Sequence, residues 1–225
     1  MPTILITGAN RGIGLALARS YVKDGWRVLA TSRKPDESLI QGAESLPLDL
    51  TDPDSIKALQ QSLAGMPIDI VWNNAGVYLD KNQPLDQVDN QDWLRSFEIN
   101  CIAPIRIAEA LMENVRISER KVFAFTTSKM ASLAGNGIGA YAYRSSKTAL
   151  NMAVRCFAQD HKAQGINCLL LHPGHVRTDM GGPEGEIDLP TSITGMRNLV
   201  DRINPDYTAD MDSGYFDYDG SNIPW

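Results

Sequence analysis

The sequence predicts one α/β domain over residues 1–225, a doubly wound parallel sheet of about seven strands with helices on both faces. Three observations predict it. Short apolar runs rich in β-branched residues alternate along the chain with longer stretches of helical periodicity. A glycine-rich turn lies between the first such run and the first helical stretch. No repeat, low-complexity tract or linker divides the 225 residues, a length that buries a sizeable core without disulfides or metals.

Taken in order, the strands fall at 3–7, 27–32, 45–48, 68–72, 121–126 and 166–171, each short and apolar. Parallel strands need crossovers, and helical stretches near 12–24, 53–64, 91–115 and 141–164 supply them. Asp52-Pro53 marks one start, with Asp as N-cap and Pro in the first turn. After residue 171 the rhythm breaks. HPGHVRTDMGGPEGEIDLP holds five Gly or Pro within 173–183 and reads as a long loop, of the kind that in compact domains is usually a functional lid or disordered. The stretch 175–200 is therefore the expected substrate loop. A helix near 191–203 and a short strand near 215–216 close the chain.

Composition narrows the function. Residues 201–225 hold six Asp against Arg202 alone, a charge of −5 out of the total −6, so the body is near neutral. A near-neutral body offers no basic face to a phosphate backbone, which argues against a nucleic-acid partner. No apolar run approaches the eighteen or so residues of a membrane helix, so no membrane partner is expected. Cys101, Cys156 and Cys168 are odd in number and widely spaced, which suits buried thiols in a reducing compartment. With no signal peptide apparent at the start, a cytoplasmic location is expected.

Gly8, Gly12 and Gly14 in TGANRGIG let the backbone turn tightly and approach a pyrophosphate at a helix N-terminus, as in Rossmann-type dinucleotide sites. An acid at the end of the second strand would bind the adenine ribose hydroxyls and repel a 2′-phosphate. Here the residues are Thr31-Ser32-Arg33-Lys34, and Arg11 in the glycine loop is placed to reach the same region. Guanidinium groups match phosphate geometry, so NADP(H) is preferred, with NAD(H) still admitted. Farther on, Tyr143 and Lys147 stand four apart in a helical stretch and project from one face. An ammonium beside a phenol favours the phenolate and pulls its pKa down from about 10. Such a tyrosine can serve as a general acid or base at neutral pH.

These motifs, in this order, resemble the short-chain dehydrogenase/reductase family over nearly the whole chain. TGANRGIG, with Asn10 and Ile13 beside its glycines, looks like that family's cofactor loop, and Asp49-Leu50 like its position near the adenine. Asn73-Asn74-Ala75-Gly76 matches its motif beside the cofactor. Asn100 matches its helix asparagine, Ser128 its catalytic serine, and Tyr143 with Lys147 its active-site pair. Pro173-Gly174, followed by Val176 and Thr178, matches its turn near the nicotinamide. TSKMASL, AYAYRSSKTALNM, HPGHVRTDMGG and SGYFDYDGSNIPW place the chain beside the small carbonyl-reductase-like branch that includes C-factor proteins.

The resemblance implies a hydride transfer between cofactor and a carbonyl or alcohol, with Tyr143 exchanging the proton. Ser128 would hold the carbonyl oxygen, Lys147 would also bind the nicotinamide ribose, and Asn100 would support a water-linked path to Lys147. It further implies a homodimer or homotetramer through helices near 91–115 and 141–164. Thr127, where relatives have Ser, keeps a hydroxyl, and the glycines of 181–185 predict an open or mobile lid. A nucleotide-binding regulatory or signalling protein is the competing class. His172 and His175 lack a carboxylate or Cys cluster at metal spacing, so no metal is expected. No Gly-x-Ser-x-Gly elbow surrounds Ser128, which rejects a hydrolase. The aromatic ending Tyr215, Phe216, Tyr218 and Trp225 is expected to pack on the body or a neighbouring subunit.

Overall fold

The computed structural model describes residues 1–203 and 214–225. Seven parallel strands form one sheet in the order β3-β2-β1-β4-β5-β6-β7. They are β1 (Thr3–Thr7), β2 (Arg27–Ser32), β3 (Glu44–Pro47), β4 (Ile70–Asn73), β5 (Val122–Thr126), β6 (Asn167–His172) and β7 (Tyr215–Asp217). The strand order reverses between β1 and β4, so the crevice beyond their carboxyl ends is where such a sheet takes a ligand.

Side chains alternate across the sheet and build one core on each face. Leu5, Val71, Phe123 and Phe125 meet α2 (Pro53–Ser62), α4 (Ala103–Ala110) and α6 (Tyr141–His161) through Leu59, Ile107 and Leu150. Ile4, Ile6, Trp72 and Ala124 meet α1 (Gly12–Lys23) and α7 (Leu189–Asp201) through Leu17, Tyr21 and Met196. Asp52 caps α2 by accepting from the Asp54 N–H, with Pro53 in the first turn.

The expected helix 91–115 is broken into pieces. α3 (Asn90–Phe97) runs into a π-turn over Glu98–Ile102, then α4, then the short α5 (Met112–Arg116). Pro104 has no N–H for the Asn100 carbonyl four residues earlier and crowds it, and the Ala103 N–H reaches Glu98 five residues back. β4 begins two residues later than the pattern 68–72, because the Ile68 N–H bonds the Asn114 carbonyl instead of a neighbouring strand. α7 starts at Leu189, where Asp188 caps it by accepting from the Thr191 N–H.

The loop after β6 is pinned, against the expectation of an open lid. The Arg177 N–H bonds the Ile187 carbonyl, Ile187 N–H bonds His175, and Lys81 Nζ donates to the Met180 carbonyl at 2.9 Å. The aromatic ending packs on the body, with Tyr215 buried, Trp225 against its ring and the Arg155 guanidinium over Trp225. Of the three thiols Cys156 alone is exposed, on the outer face of α6, contrary to the expectation of three buried ones. In the acidic tail Asp201 pairs with Arg197 and Asp217 with Lys129. Asp206, Asp210 and Asp212 lie outside the described residues. No helix among the described residues is long and apolar enough to cross a membrane.

Candidate active site

The glycine loop is built to let another backbone or ligand come close. Gly8 and Gly12 adopt φ of +67° and +54°, a region L side chains rarely enter. A Cβ on Gly14 would stand 2.3 Å from the Gly8 carbonyl and 2.6 Å from Asn74 Nδ2. Thr7 Oγ1 accepts from the Asn74 and Ala75 N–H groups at 3.0 and 3.1 Å, and Asn74 Nδ2 donates to the Thr7 carbonyl at 3.1 Å. These bonds lock the end of β4 to the end of β1. Arg11 is the N-cap of α1 but places no side chain on the helix end, which leaves the first-turn N–H groups near Ile13 for an anion. Turn, cradle and donors fit the pyrophosphate of a dinucleotide, and Asn10 lies exposed at their edge.

At the carboxyl end of β5 the expected acid–base residues come together. Ser128 lies beside the Tyr143 phenol, close enough to draw its pKa down, and its Oγ accepts from the Met130 N–H at 3.2 Å; both side chains are buried. Lys147, one turn along α6, is buried and donates through Nζ to the Thr126 carbonyl at 2.8 Å. A Cβ on Gly76 would lie 3.1 Å from Asn100 Oδ1 and 3.4 Å from Lys147 Nζ, so the glycine lets β4's loop pass between them. Asn100 is held by the π-turn. Its Oδ1 accepts from the Val77 N–H at 2.8 Å, and its Nδ2 donates to the Val77 carbonyl and Ser146 Oγ. The Asn73 amide beside them is buried with no hydrogen-bond partner among the described residues.

The electrostatics depart from the expected lowering of Tyr143 by Lys147. Burial pushes the phenol up to about 12, while the neighbouring Ser128 hydroxyl draws it down and nearby Tyr78 raises it further. Burial also lowers Lys147 to about 8, with the Cys101 thiol acting the other way. Desolvation penalises the charged form of both groups and is the largest cause of each shift.

The adenine end is mixed. Arg33 is exposed at the end of β2, close enough to Asp49 to help hold that carboxyl low, after the two hydrogen bonds from Thr51. Leu50 is half-buried beside it. Asp36 lines a small cleft there with Asn10, Thr31 and Ser32, its Oδ1 accepting from the Ser38 N–H and hydroxyl. Arg11 does not point to this region: Nη1 pairs with Asp179 Oδ2 at 3.2 Å across the mouth of the site. On the far wall Gly174 has φ +82°, Pro173 accepts from Ser192 Oγ through its carbonyl, and Val176 is buried. Thr178 stands over Gly12, its methyl 3.9 Å from where a Cβ there would be.

Several residues were missed. Tyr78 stacks on Tyr143 with ring centroids 4.3 Å apart. Tyr215 donates its hydroxyl to the Ser128 carbonyl at 2.5 Å, and Thr127 donates to Asn151 at 2.6 Å. None lies in a local pattern; the nearest signal was the aromatic ending. Among the described residues no three His, Cys, Asp or Glu side chains converge as a metal site.

Fold and site together define a dinucleotide-dependent oxidoreductase of the short-chain type. Residues 2–187 match the short chain dehydrogenase family, and the chain belongs to it, a family of NAD(P)-dependent oxidoreductases. It is 41% identical over 171 residues to the C-signal of Myxococcus xanthus, covering 76% of this chain and all of that one. Among solved structures, a carbonyl reductase from Pseudomonas aeruginosa PAO1 in complex with NADP is 33% identical, with TM-score 0.84 and full coverage of both chains. NADPH-bound carbonyl reductase from chicken fatty liver is 28% identical, with TM-score 0.86, covering 100% of this chain and 99% of that one.

Two outcomes are expected. Gly14→Ala forces the glycine loop off Asn74, and fluorescence titration should show NADPH affinity reduced by about tenfold or more, equal to at least ~1.4 kcal/mol; wild-type affinity would contradict the packing. Lys147 is protonated at neutral pH in folded and unfolded chain alike, and its burial costs the fold roughly 3 kcal/mol. Above about pH 8 the folded chain releases this proton while the unfolded chain keeps it to about 10.4, so stability rises with pH through that window. Denaturant unfolding at about pH 7.5 and 9.5 should show wild type gaining about 2 kcal/mol on Lys147→Met. Equal changes in both proteins would mean the lysine titrates normally.

Proposed function

We propose that the protein is an NADP(H)-preferring oxidoreductase that reduces a ketone or aldehyde carbonyl, or oxidises the corresponding alcohol. The observation that carries this is the buried group of Ser128 beside Tyr143 with Lys147 one turn away, near the sheet's switch point. Gly8, Gly12, Gly14 and Ala75 would hold the dinucleotide's phosphates and adenosine, and Lys147 and Pro173-Gly174 its nicotinamide end. When bound, the cofactor supplies or accepts the hydride.

The chain's residues handle the proton and the oxygen. A carbonyl oxygen placed between Ser128 Oγ and the Tyr143 hydroxyl receives two hydrogen bonds. Ser128 stabilises the negative charge that grows on that oxygen, and Tyr143 gives up its proton to it. A phenol held near 12 donates readily only as that charge appears, and the neighbouring Lys147 ammonium stabilises the phenolate left behind. In oxidation the same groups run in reverse.

The cofactor preference is supported by Arg33 and Lys34, both exposed at the end of β2. The 33% identical NADP-bound carbonyl reductase supports it too. A second reading, a nucleotide-binding signalling protein, is favoured by the 41% identity to C-signal. One experiment separates them. Purified protein with NADPH and a panel of aldehydes, ketones and quinones should turn over, and Tyr143→Phe should lower kcat by at least about a hundredfold with NADPH binding retained. Equal rates in the variant would remove Tyr143 from the reaction; tight binding with no turnover on any substrate would favour the signalling reading.

A further inference from the structure

The start of α6 carries Tyr143 in its first turn, yet nothing local caps it. The N-cap residue is Ala140, in the left-handed region with φ +52°, and it offers no side-chain bond. The first bond within the helix runs from the Arg144 N–H to the Ala140 carbonyl. The N–H groups before it need partners from elsewhere. For two of them, Asp80 provides the partner from 62 residues away or more. Its Oδ2 accepts from the Ala142 N–H at 2.7 Å and its Oδ1 from the Tyr143 N–H at 3.2 Å.

Asp80 is fully buried, an expensive place for a carboxylate unless both oxygens are satisfied. Here they are, at the positive end of a 21-residue helix. The same short segment touches the rest of the site. Val77 exchanges two hydrogen bonds with the Asn100 amide, and Tyr78 stacks on the Tyr143 ring. Just before it, Gly76 passes beside Lys147 Nζ. Residues 76–80 thus run from the cofactor cradle to the start of α6.

We propose that Asp80 is a positioning residue for Tyr143: by bonding the Ala142 and Tyr143 N–H groups it fixes the first turn of α6, and with it the phenol, relative to Gly76 and the cofactor cradle. Asp80 touches no reacting atom. The assignment rests on the reading of Tyr143 as the proton donor. Reacting groups displaced by about an ångström lose about a hundredfold in rate, so a first turn freed from its carboxylate is costly without any change in the chemical groups.

The test compares Asp80→Ala and Asp80→Asn with wild type. Asn keeps one acceptor oxygen and brings its NH2 to the other N–H; Ala removes both acceptors. In NADPH-dependent carbonyl reduction, kcat per folded molecule should fall about tenfold to a hundredfold in Asp80→Ala and less in Asp80→Asn. The Kd for NADPH, by fluorescence titration, should stay within about twofold. Amide hydrogen exchange on 15N-labelled protein should quicken at Ala142 and Tyr143 in the order wild type, Asn, Ala. Unchanged kcat in both variants overturns the proposal, as does a loss that only tracks the folded fraction from thermal melts. If wild type reduces no carbonyl, the proposed function fails by itself, and exchange decides the role of Asp80: faster exchange at both amides upholds it, and unchanged exchange overturns it.

Discussion

The burial of Lys147 beside Tyr143 is the constraint on which the rest of the structure depends. An ammonium taken out of water is costly, and here one hydrogen bond, to the Thr126 carbonyl, meets it inside the protein. Its pKa falls to about 8 and that of the phenol rises to about 12, both because desolvation opposes charge. A fold selected for stability alone would place an apolar side chain there. Under the proposed function, keeping the lysine leaves a proton donor and a cation buried on one helix face, where charge would develop during the reaction.

The sheet delivers that arrangement from four strand ends. β1 supplies the glycine loop, and β4 the Asn74-Ala75-Gly76 turn tied to it through Thr7. β5 supplies Ser128 and the Thr126 carbonyl, and β6 the Pro173-Gly174 turn. Two devices on the helices complete it. The π-turn before Pro104 holds Asn100 against Val77, and α6 projects Tyr143 and Lys147 from one face. The last strand contributes from below, through Tyr215 on the Ser128 carbonyl. Small shifts in any of these elements reach the same few atoms.

What could be read from the sequence was local in the chain. Strand alternation, the glycine turn, Asp52-Pro53 and the four-residue spacing of Tyr143 and Lys147 each involve neighbours within a few residues. β1 and β2 therefore have the expected ends, and Ser128, Asn100, Tyr143 and Lys147 converge as their order implies. What was hidden depends on contacts across the fold. The Arg11–Asp179 pair, Tyr215 on Ser128 and the Asp80 carboxylate on α6 each join residues 62 or more apart. No spacing rule exposes them. The lid was misread for the same reason, since its glycines suggest freedom while Lys81 and the 176–187 bridge restrain it. The direction of the Tyr143 shift was misread because a sequence shows the nearby cation but not the depth of burial.

The most direct measurement follows the hydride. NADPH carrying deuterium at nicotinamide C4 is incubated with the protein and a ketone, and the product alcohol is analysed by mass spectrometry. A buried Ser128–Tyr143–Lys147 centre that completes a carbonyl reduction predicts one deuterium on the carbinol carbon, delivered from one face of the cofactor. Alcohol formed without label from either face, or cofactor oxidised with no alcohol produced, would contradict it.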